Sequence, residues 1–440
     1  MSTMELVQFG PDVQVQLHPE KKPYMQLVQE TADHLKQRDI EDPFFLVDLG
    51  DVVKRLEEWK QCLPRVELFF AVKVNEDPVV LRLLAHLGIG FDCASKKEIC
   101  EVLKIGVDPS RIVYAHPCKH SSYIRYAKHV NVDLMTFDNE EELRKIKALF
   151  PSARLLLRIT PSADFKVMYK LDAKFGCHPM DASSLLRIAR NLDLNVVGVS
   201  FHVGCGVEEP EVFSATVRAA AKVFEEAHTL GFTCDILDVG GGFPSPLDTF
   251  RQIAEELRTS LDLYFPEERQ VRILAEPGRY VVEAAFSSNV TIIAKRRASL
   301  RVVNKDYGLE DPQGQGIFEY YVTDGVYGSF NGVLKDTTHP PFEARVVKPP
   351  ENAEEYVSNV WGPTCDSLDQ LLSDVMLPEL HIGDVMNFAN MGAYSLSVYS
   401  SFNGMPRPLM FYHCCDTVWK KLFPENLQTA VRKASSQEPV

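Results

Sequence analysis

The sequence has no run long and apolar enough to span a bilayer, which excludes a helical membrane protein. Between Met1 and Gln16 there is no basic start followed by an apolar core, so no secretory signal is expected. None of the ten cysteines shows CxxC spacing, which removes the usual sequence sign of a structural zinc site. The thiols are scattered, some within apolar runs (Cys93, Cys234), and reduced cysteines in a cytoplasmic protein are the simplest account. Positive charge is short as well: 47 Lys and Arg face 61 Asp and Glu, a net charge of −14. That balance argues against nucleic acid or an anionic membrane as partner, while leaving room for a local basic pocket that takes phosphate.

What is present is enough apolar material for two cores. The chain has 440 residues, 45% of them hydrophobic and 25% charged, an ordinary globular balance at a length that suits two domains. Phe44 to Asp48 reads as a strand, and a helix follows through Val52, Leu56 and Trp59. Then β-rich runs recur, each closing on a polar or glycine-rich turn: Leu68–Val74, Ile89–Ala94, Ile112–Ala115, Leu134–Phe137, Leu155–Ile159, Val196–His202, Ile236–Val239 and Val271–Ala275. Helix-period segments lie between them, such as Val79 to Leu87, Lys97 to Ile105, Glu140 to Leu149 and Val212 to Leu230.

Eight such units predict a (β/α)8 TIM-like barrel, with a doubly wound open sheet as the rival. After Phe286 strands continue without long helices, which predicts a second, mostly β domain. The implied boundaries are a barrel over 45–286, a β domain made of 1–44 and 287–425, and a flexible tail at 426–440. Asn304 to Gly316, rich in Gly, Asp and Gln, reads as a mobile loop.

The residues that close these runs are the candidates for chemistry. Lys73 ends an apolar stretch, where its charge is costly unless used. Taken alone it reads as a snorkelling lysine; in a pocket that lowers its pKa it reads as an amine for Schiff-base chemistry. Gly240-Gly241-Gly242 follows a strand and either makes a tight turn or lets backbone N–H groups approach an anion. Glu276 and Arg279 lie three residues apart on the turn after the last barrel strand: a local ion pair, or a partner for a protonated ring nitrogen beside one for phosphate. His202, Asp92, Glu98 and Arg158 also sit at or just past strand ends, each unremarkable by itself. In the β domain Cys365 stands beside Asp366, and Tyr394 offers a phenol.

Taken together, Ala71-Val-Lys73-Val-Asn75, Gly90-Phe-Asp92-Cys-Ala-Ser95, Ser200-Phe-His202-Val-Gly204, Asp238-Val-Gly-Gly-Gly242-Phe-Pro244, Ala275-Glu-Pro-Gly-Arg279-Tyr280 and Trp361-Gly-Pro-Thr-Cys-Asp366 resemble the eukaryotic ornithine decarboxylase family. These are fold type III enzymes that depend on pyridoxal 5'-phosphate. The resemblance runs from about Phe44 to Trp419 and implies roles. Lys73 would hold the cofactor as a Schiff base, Glu276 would pair with its ring nitrogen and His202 would stack on the ring. Gly240, Gly241, Gly242, Arg279 and Tyr394 would bind phosphate, and Asp92 and Arg158 would complete the cofactor shell. Asp336 and Asp366 would face the substrate side chain, Cys365 would return a proton after carbon dioxide leaves, and Phe402 would wall the carboxylate side. A homodimer with shared sites is implied, with Lys174 and Asp369 as an ion pair between subunits. The family's antizyme-binding surface would fall on Lys119 to Pro151, a basic stretch (Lys119, Arg125, Lys128, Arg144) that by itself reads as a solvated face.

Three positions depart from the family. Cys205 replaces a serine that helps hold phosphate, and a thiol is the weaker donor. Lys335 replaces a tyrosine beside Asp336, and His116 replaces an asparagine. A cation next to Asp336 works against a substrate that carries its own distal ammonium, so the expected reaction is decarboxylation of a neutral aliphatic amino acid such as leucine, in line with the family's leucine-decarboxylating branch. The alternatives are an ornithine decarboxylase making putrescine and a non-catalytic, antizyme-binding regulator of the antizyme-inhibitor kind. Only Lys420 to Val440 follow Trp419, where ornithine decarboxylase carries a longer degradation tail. Slow turnover in cells that does not change when the last residues are trimmed is the expected outcome of a pulse-chase measurement; rapid loss abolished by trimming would contradict it.

Overall fold

The computed structural model describes residues 5–20, 22–161, 165, 167–169, 173–298, 317–335, 344–349 and 353–424, with backbone alone at 167–169, 298 and 335. The expectations for 304–316, for Asp336 and for 426–440 fall outside these residues, as does the Lys335 side chain. The chain divides into two compact units, Lys54–Val282 and Met1–Val53 with Glu283–Val440.

The first unit is a closed barrel of parallel strands. Around the ring they run Val66–Ala71, Gly90–Cys93, Ile112–Tyr114, Leu134–Phe137, Arg154–Ile159, Asn195–Phe201, Ile236–Asp238 and Arg272–Ala275, the last pairing back to the first. The strands are short and nearly all apolar because both of their faces are covered. Asp77, Ser95 and Asn139 each cap the helix that follows, accepting from backbone N–H groups of its first turn.

Strand register sorts the barrel interior into layers. Phe69, Val113, Leu134, Leu156, Val197, Ile236 and Leu274 form one apolar cluster across its middle. The remaining strand contributes Gly90, where a Cβ would lie 2.6 Å from the Phe69 ring, so that glycine is what lets the ring fill the centre. Toward the N-terminal ends of the strands Glu67 takes ion pairs from Arg272 and Arg111, at 2.6 Å each, and both guanidiniums lie over Phe69. Toward the C-terminal ends the inward positions change character. Two residues past Gly90, Leu134, Leu156, Gly198, Ile236 and Leu274 stand Asp92, Thr136, Arg158, Ser200, Asp238 and Glu276, a second polar layer whose register is continuous through Arg158, Ser200 and Asp238.

The second unit is a ten-stranded sheet with an edge hairpin at Glu5–Gln8 and Gln14–His18, strands that the polar reading of the first forty residues missed. The helix Tyr24–Gln37 lays Leu27, Val28, Ala32 and Leu35 on Phe44, Leu46 and Val347. The strand Phe44–Asp48 differs from its sequence assignment to the barrel: it pairs with Leu409–Cys415 and Phe286–Ala298 in this sheet. A fully apolar strand reads the same in either setting, and only its hydrogen-bonding partners decide. Glu355–Trp361 and Gln370–Pro378 are further strands of this sheet, paired antiparallel with each other. No helix among the described residues is long and apolar enough to cross a membrane, and no cluster of side chains there could hold a metal ion.

Gly90→Ala forces a methyl into the Phe69 ring, so it is expected to cost about 1–3 kcal/mol in urea unfolding, with Phe69→Leu recovering part of the loss in the double variant.

Candidate active site

The polar layer at the C-terminal ends of the barrel strands is buried, and burial sets its electrostatics. Lys73 lies just beyond the strand Val66–Ala71, in a single 3-10 turn over Val72–Val74, and not within the strand as the sequence suggested. Its ammonium is ion-paired with Asp92 Oδ2, and the Asp92 carboxylate is fully buried. Asp238 accepts from the Gly240 N–H at 2.9 Å. Asp238 and Glu276 are close enough to hydrogen-bond through their side chains, and both carboxyls are pushed up, chiefly by burial. Asp92 adds negative charge to each, whereas Lys73 acts the other way on Glu276. The sequence reading gave Asp238 no role; the signal was its position at the end of Ile236–Asp238, two residues past a core isoleucine.

Glu98 is held on the same turn as Asp92. Its carboxylate accepts from the Ala94 N–H at 2.6 Å, while the Ser95 hydroxyl accepts from the Glu98 N–H at 3.2 Å. Burial lifts this carboxyl to about 7, opposed by the Ala94 hydrogen bond.

His202 is partly exposed, and its Nδ1 accepts from the Gly204 N–H at 3.1 Å, which leaves Nε2 to carry the proton of a neutral ring. Burial, then the charges of Arg158 and Lys73, keep it neutral. The glycines pack against this imidazole. A Cβ at Gly241 would stand 2.7 Å from His202 Nε2 and 2.9 Å from the Glu276 carbonyl, and one at Gly242, where φ is +105°, 2.6 Å from the Gly204 carbonyl. Cys205 opens the short strand Cys205–Val207, and its thiol is pushed up by burial against the opposing charges of Arg279 and Lys73, so it stays a neutral, weak donor. Arg279 begins the one-turn helix Arg279–Val282. The barrel unit thus brings together Lys73, Asp92, Arg158, His202, Cys205, Gly240, Gly241, Gly242, Glu276 and Arg279.

The remaining expected residues belong to the sheet unit. Asp366 accepts from the Tyr327 hydroxyl, which holds its carboxyl below the usual range, and from the Leu368 N–H at 3.0 Å. Tyr327, missed in the sequence, also packs on Phe402 with ring centroids 4.7 Å apart. Cys365 is exposed, and its N–H donates to Asn403 Oδ1 at 2.9 Å. Tyr394 has a left-handed backbone, φ +58°.

Two expectations are corrected here. Asp369 is only 1% exposed and accepts from Val326 N–H (2.8 Å), Thr364 N–H (3.0 Å) and Thr364 Oγ1 (2.6 Å), so its carboxylate holds its own loop together and is not presented to Lys174 of a neighbour. Lys119, assigned to a basic surface, is buried on Glu142 at 2.9 Å and on the carbonyls of Thr136 and His116.

The two units correspond to the two domains of the pyridoxal-dependent decarboxylases. The family profile for the pyridoxal binding domain of these enzymes matches residues 49–283, and that for their C-terminal sheet domain matches 279–392. The chain belongs to this family, and its cofactor is pyridoxal phosphate. Within it the chain is similar along most of its length to the ornithine decarboxylase of Rattus norvegicus, 44% identical over 90% of this chain and 85% of that one. It is equally similar to antizyme inhibitor 2 of Xenopus laevis, 43% identical over 94% and 90%. Among solved structures, the arginine decarboxylase of Paramecium bursaria Chlorella virus superposes with a TM-score of 0.80 at 33% identity, covering 88% of this chain and all of the other.

The residues fit that cofactor. Asp92 Oδ1 and Ser200 Oγ are buried with no hydrogen-bond partner in the protein. Three buried carboxyls, Asp92, Asp238 and Glu276, suit a protonated ring nitrogen, beside a glycine turn too tight for side chains and a cationic Arg279. Before the cofactor is bound Asp238, Glu276 and Glu98 favour acid, because burial pushes each of these carboxyls up. A folded-state pKa raised above the unfolded value stabilises the fold below the unfolded pKa, and that gain is lost as pH rises through the folded pKa. The cofactor-free protein is therefore expected to lose about 2–3 kcal/mol through Glu98 between roughly pH 4.5 and 7. Glu98→Gln, compared with the parent by urea unfolding at a series of pH values, is expected to flatten that slope.

Proposed function

We propose that this chain decarboxylates an L-amino acid at the C-terminal mouth of its barrel and that its preferred substrate is neutral and aliphatic, leucine being the type. The observation that carries the catalytic reading is the Lys73 ammonium paired with the buried Asp92, in a layer that also buries Asp238 and Glu276. A regulator freed from catalysis has no use for so costly an arrangement. The bound cofactor supplies an electron sink for the pair left on the α-carbon when carbon dioxide departs.

The chain's own residues do the rest. Lys73 would hold the cofactor through its amine, which Asp92 orients. Glu276, backed by Asp238, would pair with the ring nitrogen and favour its protonated form. His202, neutral and fixed by Gly204, offers a flat ring for stacking. Gly240 to Gly242, Arg279, Cys205 and Tyr394 hold phosphate. In a homodimer, the partner subunit's Cys365 returns the proton to the α-carbon. The partner's Asp366, oriented by a tyrosine hydroxyl as in this chain, and Phe402 shape the substrate end.

The substrate reading rests on Lys335 next to Asp336. Two like charges about 4 Å apart repel by roughly 4 kcal/mol at an intermediate dielectric, before screening. A substrate ammonium meets that cost and an isobutyl group does not. The similarity to antizyme inhibitor 2 supports a second reading, an antizyme-binding regulator without turnover. Carbon dioxide release from a panel of amino acids separates the readings. Leucine turned over well above ornithine supports the proposal, ornithine preferred refutes the charge argument, and no release at all leaves the regulator. Lys73→Ala is expected to lower the rate by at least about a hundredfold, and Lys335→Tyr is expected to shift preference back toward ornithine.

A further inference from the structure

We propose that His116 is a positioning residue for Arg158: its ring packs against Phe175, Phe175 packs against the Arg158 guanidinium, and the contact chain sets where that guanidinium sits in the mouth of the barrel. The proposal rests on the catalytic reading above, with Arg158 taken as part of the cofactor shell. Its geometry does not depend on that reading.

Arg158 is the only guanidinium in the inward polar layer, two residues past the core Leu156 and in register with Ser200. An arginine at a strand end has several rotatable bonds and needs partners to hold one direction. One partner here is aromatic. The Arg158 Cζ lies 5.3 Å from the centroid of Phe175, and the Lys174 Nζ lies 5.0 Å from the same ring. That ring is in turn met by His116 at a centroid distance of 5.4 Å and an interplanar angle of 74°, a T-shaped contact.

His116 stands just past the strand Ile112–Tyr114, and its Nδ1 accepts from the Cys118 N–H at 3.0 Å, which fixes the imidazole on its own turn. The charged groups that face it are Lys119, Lys174 and Arg158, with Glu142 opposing them. Burial first, and then Lys119 and Lys174, hold its pKa below the usual value, so the ring stays neutral and adds no fourth cation to this corner. An asparagine, the residue of the resembling family at this point, offers no aromatic ring to Phe175.

The position of Arg158 matters beyond its own contacts, because its charge is one of the two that keep His202 neutral and it also acts on Asp238. A guanidinium released from Phe175 swings away, and His202 then becomes easier to protonate.

The test uses two readouts. The first is loss of cofactor from the holoenzyme, followed by absorbance during dialysis. His116→Asn and Phe175→Leu are each expected to speed that loss about three- to tenfold. The double variant is expected to be no faster than Phe175→Leu alone, because His116 acts through Phe175. His116→Phe, which keeps the T-shaped contact, is expected to restore the parent rate. A melting midpoint within about 2 °C of the parent certifies each variant as folded. The second readout is titration of His202 by NMR in the cofactor-free protein, where His116→Asn is expected to move the His202 transition to higher pH and His116→Phe to leave it in place. Unchanged cofactor loss, an additive double variant, or His116→Phe behaving as His116→Asn would overturn the proposal. So would a His202 titration indifferent to position 116. Failure of the parent chain to take up pyridoxal phosphate would instead sink the catalytic reading, and the His202 titration would still decide this one.

Discussion

A closed barrel of eight parallel strands keeps water out of its centre, so it can carry charge only near its two ends. In this chain Phe69, Gly90 and the aliphatic residues around them fill the middle completely. At one end the charge is neutralised by a compact cluster, Glu67 between Arg272 and Arg111. At the other the balance is deliberately poor: Asp92, Asp238 and Glu276 outnumber the cations that meet them. Burying three carboxyls together raises the energy of their charged forms, and the arrangement becomes favourable once a bound ring cation and a lysine amine stand among them.

That imbalance explains why the surrounding residues are so closely specified. His202 is kept neutral by desolvation and then by the charges of Arg158 and Lys73, and its hydrogen bond from Gly204 fixes the tautomer. Gly241 and Gly242 must lack side chains, because the turn that carries them passes within contact distance of that imidazole and of the 202–207 segment. In the sheet unit the same economy appears in Asp369. Its carboxylate takes donors from Val326 and Thr364, and the loop it holds is the one that presents Cys365 and Asp366.

Much of the fold could be read from the chain. The alternation of short β-rich runs with helix-period segments located every barrel strand to within a few residues, because buried parallel strands and amphipathic helices leave strong periodic marks. The edge hairpin at Glu5–Gln8 and Gln14–His18 was not legible, since an edge strand with one wet face has a weak pattern. Phe44–Asp48 was recognised as a strand but fell inside the boundary drawn for the barrel domain, since its composition says that it is buried and not what it pairs with. In the site, Lys73, His202, Glu276 and the glycines stood out as polar or flexible residues closing apolar runs. Asp238 and Tyr327 did not, because their importance lies in neighbours distant in sequence.

The sequence alone therefore determined the class of fold and the positions where charge would meet the barrel interior, through residue type, period and spacing, while the family and its cofactor came from the resemblance of its ordered motifs. Tertiary structure decided the state of those charges. Only the closed ring buries Asp92, Asp238 and Glu276 in one layer, turns Lys119 inward, and sets His116 against Phe175 and Phe175 against Arg158, while the folded sheet unit buries Asp369. Desolvation and charge coupling depend on distance through space, and a linear chain does not record that distance.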